Sequence, residues 1–241
     1  WAQRLVAHLH LRTATRILVR LGRFEAVGFA DLKEGLADIP FHLWLPRHSA
    51  VEINASSSGS RLTHTDAIAE RTREVVRRGY DPALDYEGGV FTLHVRISRN
   101  VATVSLDATG DPLYKRGWRP ESGAAPMRET LAAALLQWSG ATRHKGPLTD
   151  PCCGAGTIAI EAAQIARRIP AGRGRTFAFE SWLPVDAEQM TRIRAAAEAD
   201  VRPPLKKPMI ATDLDPGVLA VAAANAERAG VGGDVAFDLA D

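Results

Sequence analysis

The strongest chemical signal in the chain is the stretch Asp150-Pro151-Cys152-Cys153-Gly154-Ala155-Gly156-Thr157. Gly154 and Gly156 allow the backbone to bend tightly and to approach a ligand that a side chain at either position would obstruct. The stretch lacks the third glycine of a dinucleotide fingerprint and the Gly-Lys-Ser/Thr of a phosphate loop, which disfavours a pyrophosphate or a nucleoside triphosphate. An acid four residues ahead of the first glycine suits a ligand bearing an amino group and a sulfonium, and Asp150 supplies the complementary charge. The plainer interpretation, a structural strand-to-helix bend, loses weight because further acids follow. Asp213 lies in Ala211-Thr212-Asp213-Leu214-Asp215-Pro216, where a strand-end carboxylate can accept both hydroxyls of a ribose. Asp215 reads instead as a helix N-cap with Pro216 in the first helical position. Asp241, after Val235-Ala236-Phe237, falls where it can meet an adenine amino group, with Asp238 as the rival at the same turn.

Placing these acids side by side requires particular elements. A short strand over 147–150 delivers the glycine stretch and a helix over 157–169 leaves it. A strand over 209–213, a helix over 216–229 and a strand over 235–237 follow, with a helix over 126–136 in front. Strand and helix alternate, so the expected class is α/β, a Rossmann-like domain with a parallel, doubly wound sheet. Asp213 lies 63 positions (213 − 150) after Asp150, against about 20 in a minimal fingerprint, which implies an insertion around residues 173–208.

The front of the chain reads differently. Residues 49–55 alternate as a half-buried strand, 65–78 form an amphipathic helix closed by Gly79, and 91–97 with 101–106 make a hairpin around Ser98-Arg99-Asn100. Phe24 to Ala37 has helical spacing that ends near Gly35. Residues 2–21 mix helical and alternating spacing, so their type stays open. Together these describe a small α+β domain. Asp107 to Ser122, rich in Gly, Pro and charge, reads as a linker, giving domains at 1–107 and 123–241 with 108–122 between them.

Bulk properties exclude several classes. Apolar residues make up 46% of the chain and charged residues 24%, which sets aside disordered and fibrous proteins. Cys152 and Cys153 are the sole cysteines. Adjacent, they make a strained disulfide and, without a His/Cys cluster, a poor metal site, so no metal is expected and a reducing compartment is. No run of about 18 apolar residues marks a membrane span, and the reading is cytoplasmic. Net charge is +2, with 17 Lys and Arg against 13 Asp and Glu in residues 1–120 and 13 against 15 afterwards. That polarity suits a front domain that meets a polyanion. Beginning at Trp1 and stopping at Asp241, the sequence reads as a fragment cut at both ends.

These motifs, preceded by Arg116-Gly117-Trp118-Arg119 and Ala125-Pro126-Met127-Arg128-Glu129, resemble the THUMP-domain RNA methyltransferases. The likeness is to the bacterial large-subunit ribosomal RNA guanine-N2 methyltransferases and their tRNA relatives. Residues 1–107 resemble the THUMP-type RNA-binding front with a ferredoxin-like remnant, and 123–241 the first half of the catalytic domain. The resemblance implies S-adenosyl-L-methionine as cofactor, with Asp150, Cys152, Gly154, Gly156 and Thr157 around its methionine part, Pro126 and Met127 over the methionine end, Asp213 and Leu214 at the ribose and Asp241 at the adenine. It implies RNA as partner, met by Arg61, Arg77, Arg78, Lys115, Arg116 and Arg119 among a wider set of arginines, with Trp118 either stacking a base or packing inward. The implied reaction is methyl transfer to guanine N2 of 23S ribosomal RNA, with tRNA as alternative substrate and a non-catalytic RNA-binding scaffold as alternative role. A DNA amino-methyltransferase would share the cofactor loop but leave the front domain unexplained. The Asn-Pro-Pro-aromatic turn that accepts the exocyclic amine in this family is expected beyond residue 241, so no catalytic residue is assigned.

Overall fold

The computed structural model describes residues 2–46, 50–78, 90–119, 127–141, 148–182 and 185–240. They divide into two compact units, one made of residues 16–111 and 176–185, the other of residues 1–15, 112–175 and 186–241.

The first unit runs β1 (Leu18–Glu25), α2 (Phe29–Ala37), β2 (Ala50–Ser58), α3 (Thr65–Arg78), β3 (Val90–Ser98) and β4 (Val101–Asp107). Its sheet has the order β1-β4-β3-β2, with β2 and β3 parallel across the α3 crossover and the other pairs antiparallel. Alternation decides the core: Phe91, Leu93, Val95 and Ile97 of β3 and Ala102, Val104 and Leu106 of β4 are buried with Leu32 and Leu36 of α2 and Ile68 and Val76 of α3. Arg99 and Asn100, both at positive φ (50° and 61°), make the two-residue β3–β4 turn. Asn100 also accepts from the Arg61 backbone N–H at 2.8 Å.

The helix expected over 24–37 starts five residues later. Phe24 and Glu25 finish β1 opposite Ala102 and Val101, and Asp31 then opens α2 by accepting from the N–H groups of Val27 and Gly28, both at 2.9 Å. Gly35 is not its stop. It sits inside α2 because the Phe24 ring occupies the space where a Cβ would stand, at 2.2 Å.

The second unit contains α1 (Ala2–His10), α4 (Glu129–Trp138), β5 (Thr149–Asp150), α5 (Thr157–Ala166), α6 (Ala187–Ala199), β6 (Met209–Asp213), α7 (Pro216–Arg228) and β7 (Val235–Leu239). Its sheet, β5-β6-β7, is parallel throughout. Small residues, Ala159, Ala163, Ala211 and Ala226, are fully buried where the helices approach the strands. Asp215 caps α7, accepting from Gly217 N–H at 2.7 Å ahead of Pro216. Within the expected insertion, α6 was not foreseen.

Two boundaries move. Residues 2–15, read as part of the front domain with a ferredoxin-like remnant, form a helix and a following stretch that belong to the parallel-sheet unit. The stretch read as a linker is packed, with Ala108, Leu113 and Trp118 each at most 3% exposed. One carboxylate explains much of this. Glu161 on α5, wholly buried, takes Arg12 Nη1 on one oxygen at 2.7 Å and Arg116 Nε on the other at 3.1 Å. Arg116 donates onward to the carbonyls of Leu113 (2.7 Å) and Arg12 (2.6 Å), and Arg12 to that of Ile169. Glu161→Ala would leave two guanidiniums buried without their carboxylate. We expect it to lower the unfolding free energy by about 3–5 kcal/mol in urea titration, and Glu161→Gln by less.

Candidate functional site

β5 consists of Thr149 and Asp150, paired with Ile210 and Ala211 of β6. The chain then turns through the glycine stretch, where Cys153 N–H donates to Thr212 O and Gly156 N–H to Cys153 O, both at 2.9 Å. Parallel pairing thus brings Asp150 and Asp213, distant in sequence, to the same end of the sheet.

The two glycines, both read as ligand-facing, have separate tasks. Gly154 has φ +53° and nothing within 4 Å of where a Cβ would stand, so the space above it is open. At Gly156, with φ +82°, a Cβ would meet Ile160 Cδ1 at 3.1 Å and Ala222 Cβ at 3.2 Å. The second glycine therefore permits α5 and α7 to close against the loop.

Asp150 is 8% exposed and its Oδ2 has no hydrogen-bond partner among the described residues. Burial pushes its carboxyl above the usual range; the Cys152 N–H pulls it back and the negative Asp213 adds to the rise. Asp213 is in the opposite condition. Its Oδ2 accepts from Gly154 N–H at 2.9 Å and its Oδ1 from Asp215 N–H at 3.2 Å, and these donors hold it below the usual carboxylate range. The Cys153 thiol is pushed up to about 11 by burial and by the fields of Asp150 and Asp213, so it stays protonated at neutral pH and is no nucleophile. Cys152 is exposed. Among the described residues no group of His, Cys, Asp or Glu is placed to hold a metal ion.

Arg119 builds one wall. It donates to Met127 O from both terminal nitrogens (3.1 Å each), to Thr157 Oγ1 at 3.0 Å, and pairs with Glu129 at 2.9 Å. Thr157, expected against the cofactor, is buried with its hydroxyl accepting from Arg119. Leu214 is 68% exposed. Pro126 and Asp241 lie outside the described residues.

Sequence reasoning missed Asn225. Fully buried on α7, it donates to Ala155 O at 3.0 Å and accepts from Arg228 at 2.6 Å, and Arg228 also donates to Trp118 O at 2.9 Å. The available signal was one amide within the otherwise apolar run Val218 to Ala226.

The RNA-facing set is reduced. Arg61, Arg77 and Lys115 are exposed, and the side chain of Arg78 lies outside the described residues. Arg116 and Arg119 are withdrawn from it, because their side chains are 1% and 8% exposed and ion-paired with Glu161 and Glu129. Trp118 is 3% exposed and packs inward instead of offering a stacking face.

A parallel sheet with an open glycine at a strand tip between two carboxylates defines a nucleoside-binding domain of Rossmann-like design. Residues 116–241, more than half the chain, match the family described as UPF0020: RMKL-like, methyltransferase domain, and the chain belongs to that family. It is 34% identical over 241 residues to "Putative RNA methyltransferase YpsC" of Bacillus subtilis (strain 168), covering 96% of this chain and 62% of that protein. It is 32% identical to "Ribosomal RNA large subunit methyltransferase K/L" of Psychromonas ingrahamii, covering 95% of this chain and 32% of that protein. Among solved structures it is similar to "Crystal structure of SMU.472, a putative methyltransferase complexed with SAH", with TM-score 0.90, 29% identity, and coverage of 99% of this chain and 65% of that one. The chain thus spans less than two thirds of these relatives.

The buried, half-satisfied Asp150 makes a prediction about stability. Its pKa is higher folded than unfolded, so the ionised form costs stability above the folded-state titration, and the cost disappears below the ordinary carboxylate range. Asp150→Asn is expected to raise the unfolding free energy at neutral pH by about 1 kcal/mol, a gain that fades below about pH 4. Urea titrations at both pH values check it.

Proposed function

We propose that the chain binds S-adenosyl-L-methionine and serves methyl transfer to guanine N2 in 23S ribosomal RNA. The observation that carries the reading is the buried Asp150 Oδ2, without a partner among the described residues, beside the open face of Gly154. A buried carboxylate oxygen with no donor among the described residues is completed by a cationic ligand group, and the amino group of the cofactor is one. The residues fit that cofactor. Asp150 would hold the methionine amine, Gly154 admits the ligand to the backbone and Asp213 keeps an ionised carboxylate for the ribose hydroxyls; for Pro126 and Met127 at the methionine end and Asp241 at the adenine, the support is the resemblance of their motifs to the family. The bound cofactor supplies an already activated methyl group on a sulfonium, so the protein's task is alignment of the accepting amine.

RNA as substrate is supported by the names of the relatives YpsC and K/L. The unit of residues 16–111, with its exposed Arg61 and Arg77, we read as the THUMP-type RNA-binding domain. The 241 residues contain no Asn-Pro-Pro triplet, so no residue of this sequence is assigned to accepting the amine.

Calorimetry with S-adenosylhomocysteine tests the site. Asp150→Ala and Asp213→Ala should each weaken binding at least about tenfold, the worth of a hydrogen bond to a charged group. Preference for ADP over S-adenosylhomocysteine would overturn the cofactor reading. Nucleoside mass spectrometry of a deletion strain should show N2-methylguanosine reduced in 23S ribosomal RNA; an unchanged level there overturns the substrate reading.

A further inference from the structure

The two faces of the first unit's sheet differ. Phe24 of β1 points to the helices, its ring against Gly35 of α2, and opposes Ala102 of β4. Alternation sends the intervening residues of each strand to the other face. Cross-strand partners share a face, so the registers set that second face in rows running across all four strands. Arg23, Thr103, Arg96 and Ser56 make one row, and Arg20, Ser105, His94 and Asn54 the next. Apart from Ser105, these residues are exposed or half-buried.

An irregularity in β1 completes the arrangement. In a regular strand, residues three apart point to opposite faces. The β1–β4 register passes from Arg20 opposite Ser105 to Gly22 opposite Val104, so Leu21 is an extra residue, and Arg20 and Arg23 come to the same open side. Among the described residues Arg20, Arg23 and Arg96 form no ion pair, whereas Arg16 and Arg71 of the same unit do. The acids of this face stand in the outer rows: Glu25 beside Val101, Glu52 beside Thr92, and Asp107 paired with Arg16. A face kept polar for solubility alone gains from opposite charges set across strands. Here Arg20 faces Ser105, Arg23 faces Thr103, and Arg96 stands between Thr103 and Ser56.

Unpaired guanidiniums flanked by hydroxyls and an amide match the donors that hold nucleic-acid phosphate and sugar. The two rows contain no Phe, Tyr or Trp on which a base could stack. We propose that they bind the backbone of an RNA strand without reading its bases. The proposal rests on the reading of residues 16–111 as an RNA-binding domain and gives that domain a contact surface made of residues other than Arg61 and Arg77.

Fluorescence anisotropy of a labelled short oligouridylate with the intact protein, over a salt series, is the test. Arg20→Gln/Arg23→Gln/Arg96→Gln removes the sheet-face charges and keeps polar side chains. Arg202→Gln/Lys206→Gln/Lys207→Gln removes the same charge from exposed positions of the other unit, and thermal unfolding checks that both variants fold. The sheet-face variant should weaken binding at least about tenfold and lower the slope of log affinity against log salt by about 2, at about 0.7 for each phosphate contact of a single strand. Arg96→Gln alone should lower the slope by about 0.7, and the control variant should leave affinity and slope unchanged. If the wild type binds oligouridylate and the sheet-face variant binds it equally, or the control variant loses as much, the surface is overturned and the RNA reading stands. Equal competition by polyglutamate at matched charge overturns the choice of a nucleic acid over an acidic protein. No binding by the wild-type protein overturns the RNA reading together with the proposal.

Discussion

Glu161 sits on α5 with no exposed surface and an arginine on each carboxylate oxygen. Burying three charges costs desolvation that Coulomb attraction only partly offsets, so such a cluster is weak evidence of stability by itself. What it achieves is placement. Arg12 comes from the segment after α1 and Arg116 from the segment leading to α4, and both must meet the helix that the glycine loop opens. Three residues after Arg116, Arg119 fastens Met127, Glu129 and Thr157. The position of the site's wall thus follows from where one carboxylate draws two guanidiniums.

Three acids around the glycine loop, Asp213, Asp150 and Glu129, are held in contrasting states. Asp213 is surrounded by backbone N–H donors and is kept charged. Asp150 and Glu129 are buried, each with one oxygen unpartnered among the described residues, and burial raises both. Glu129 has Arg119 as a partial partner, whereas no cation pairs with Asp150 among the described residues. A site with one pre-charged acceptor and one under-satisfied carboxylate favours a ligand that is polar at one end and cationic at the other. The geometry stores that preference as a stability deficit, in the usual manner of functional sites.

The loop is anchored from α7. Arg228 holds Trp118 O and Asn225, and Asn225 holds Ala155 between the two glycines. The carbonyl of Ala155 could not be satisfied by the sheet, because the loop leaves the strand direction there. A buried amide from the facing helix supplies the donor.

Local rules were enough to expect Gly154 at an open bend, Asp215 and Pro216 at the start of α7, the β3–β4 hairpin and, apart from α6, the strands and helices of residues 149–239. Those features depend on neighbours within a few positions, on backbone sterics and on period. The resemblance in the glycine motif and in Ala211 to Pro216 added the family. Contacts between residues far apart in sequence decided the rest: that Gly156 serves packing, that Gly35 accommodates Phe24, that residues 2–15 belong with the parallel sheet, and that Arg116 and Arg119 turn inward to Glu161 and Glu129. An arginine in a sequence carries its charge openly, but whether solvent or a buried carboxylate receives it depends on which helix lies opposite. Only the folded chain settles that.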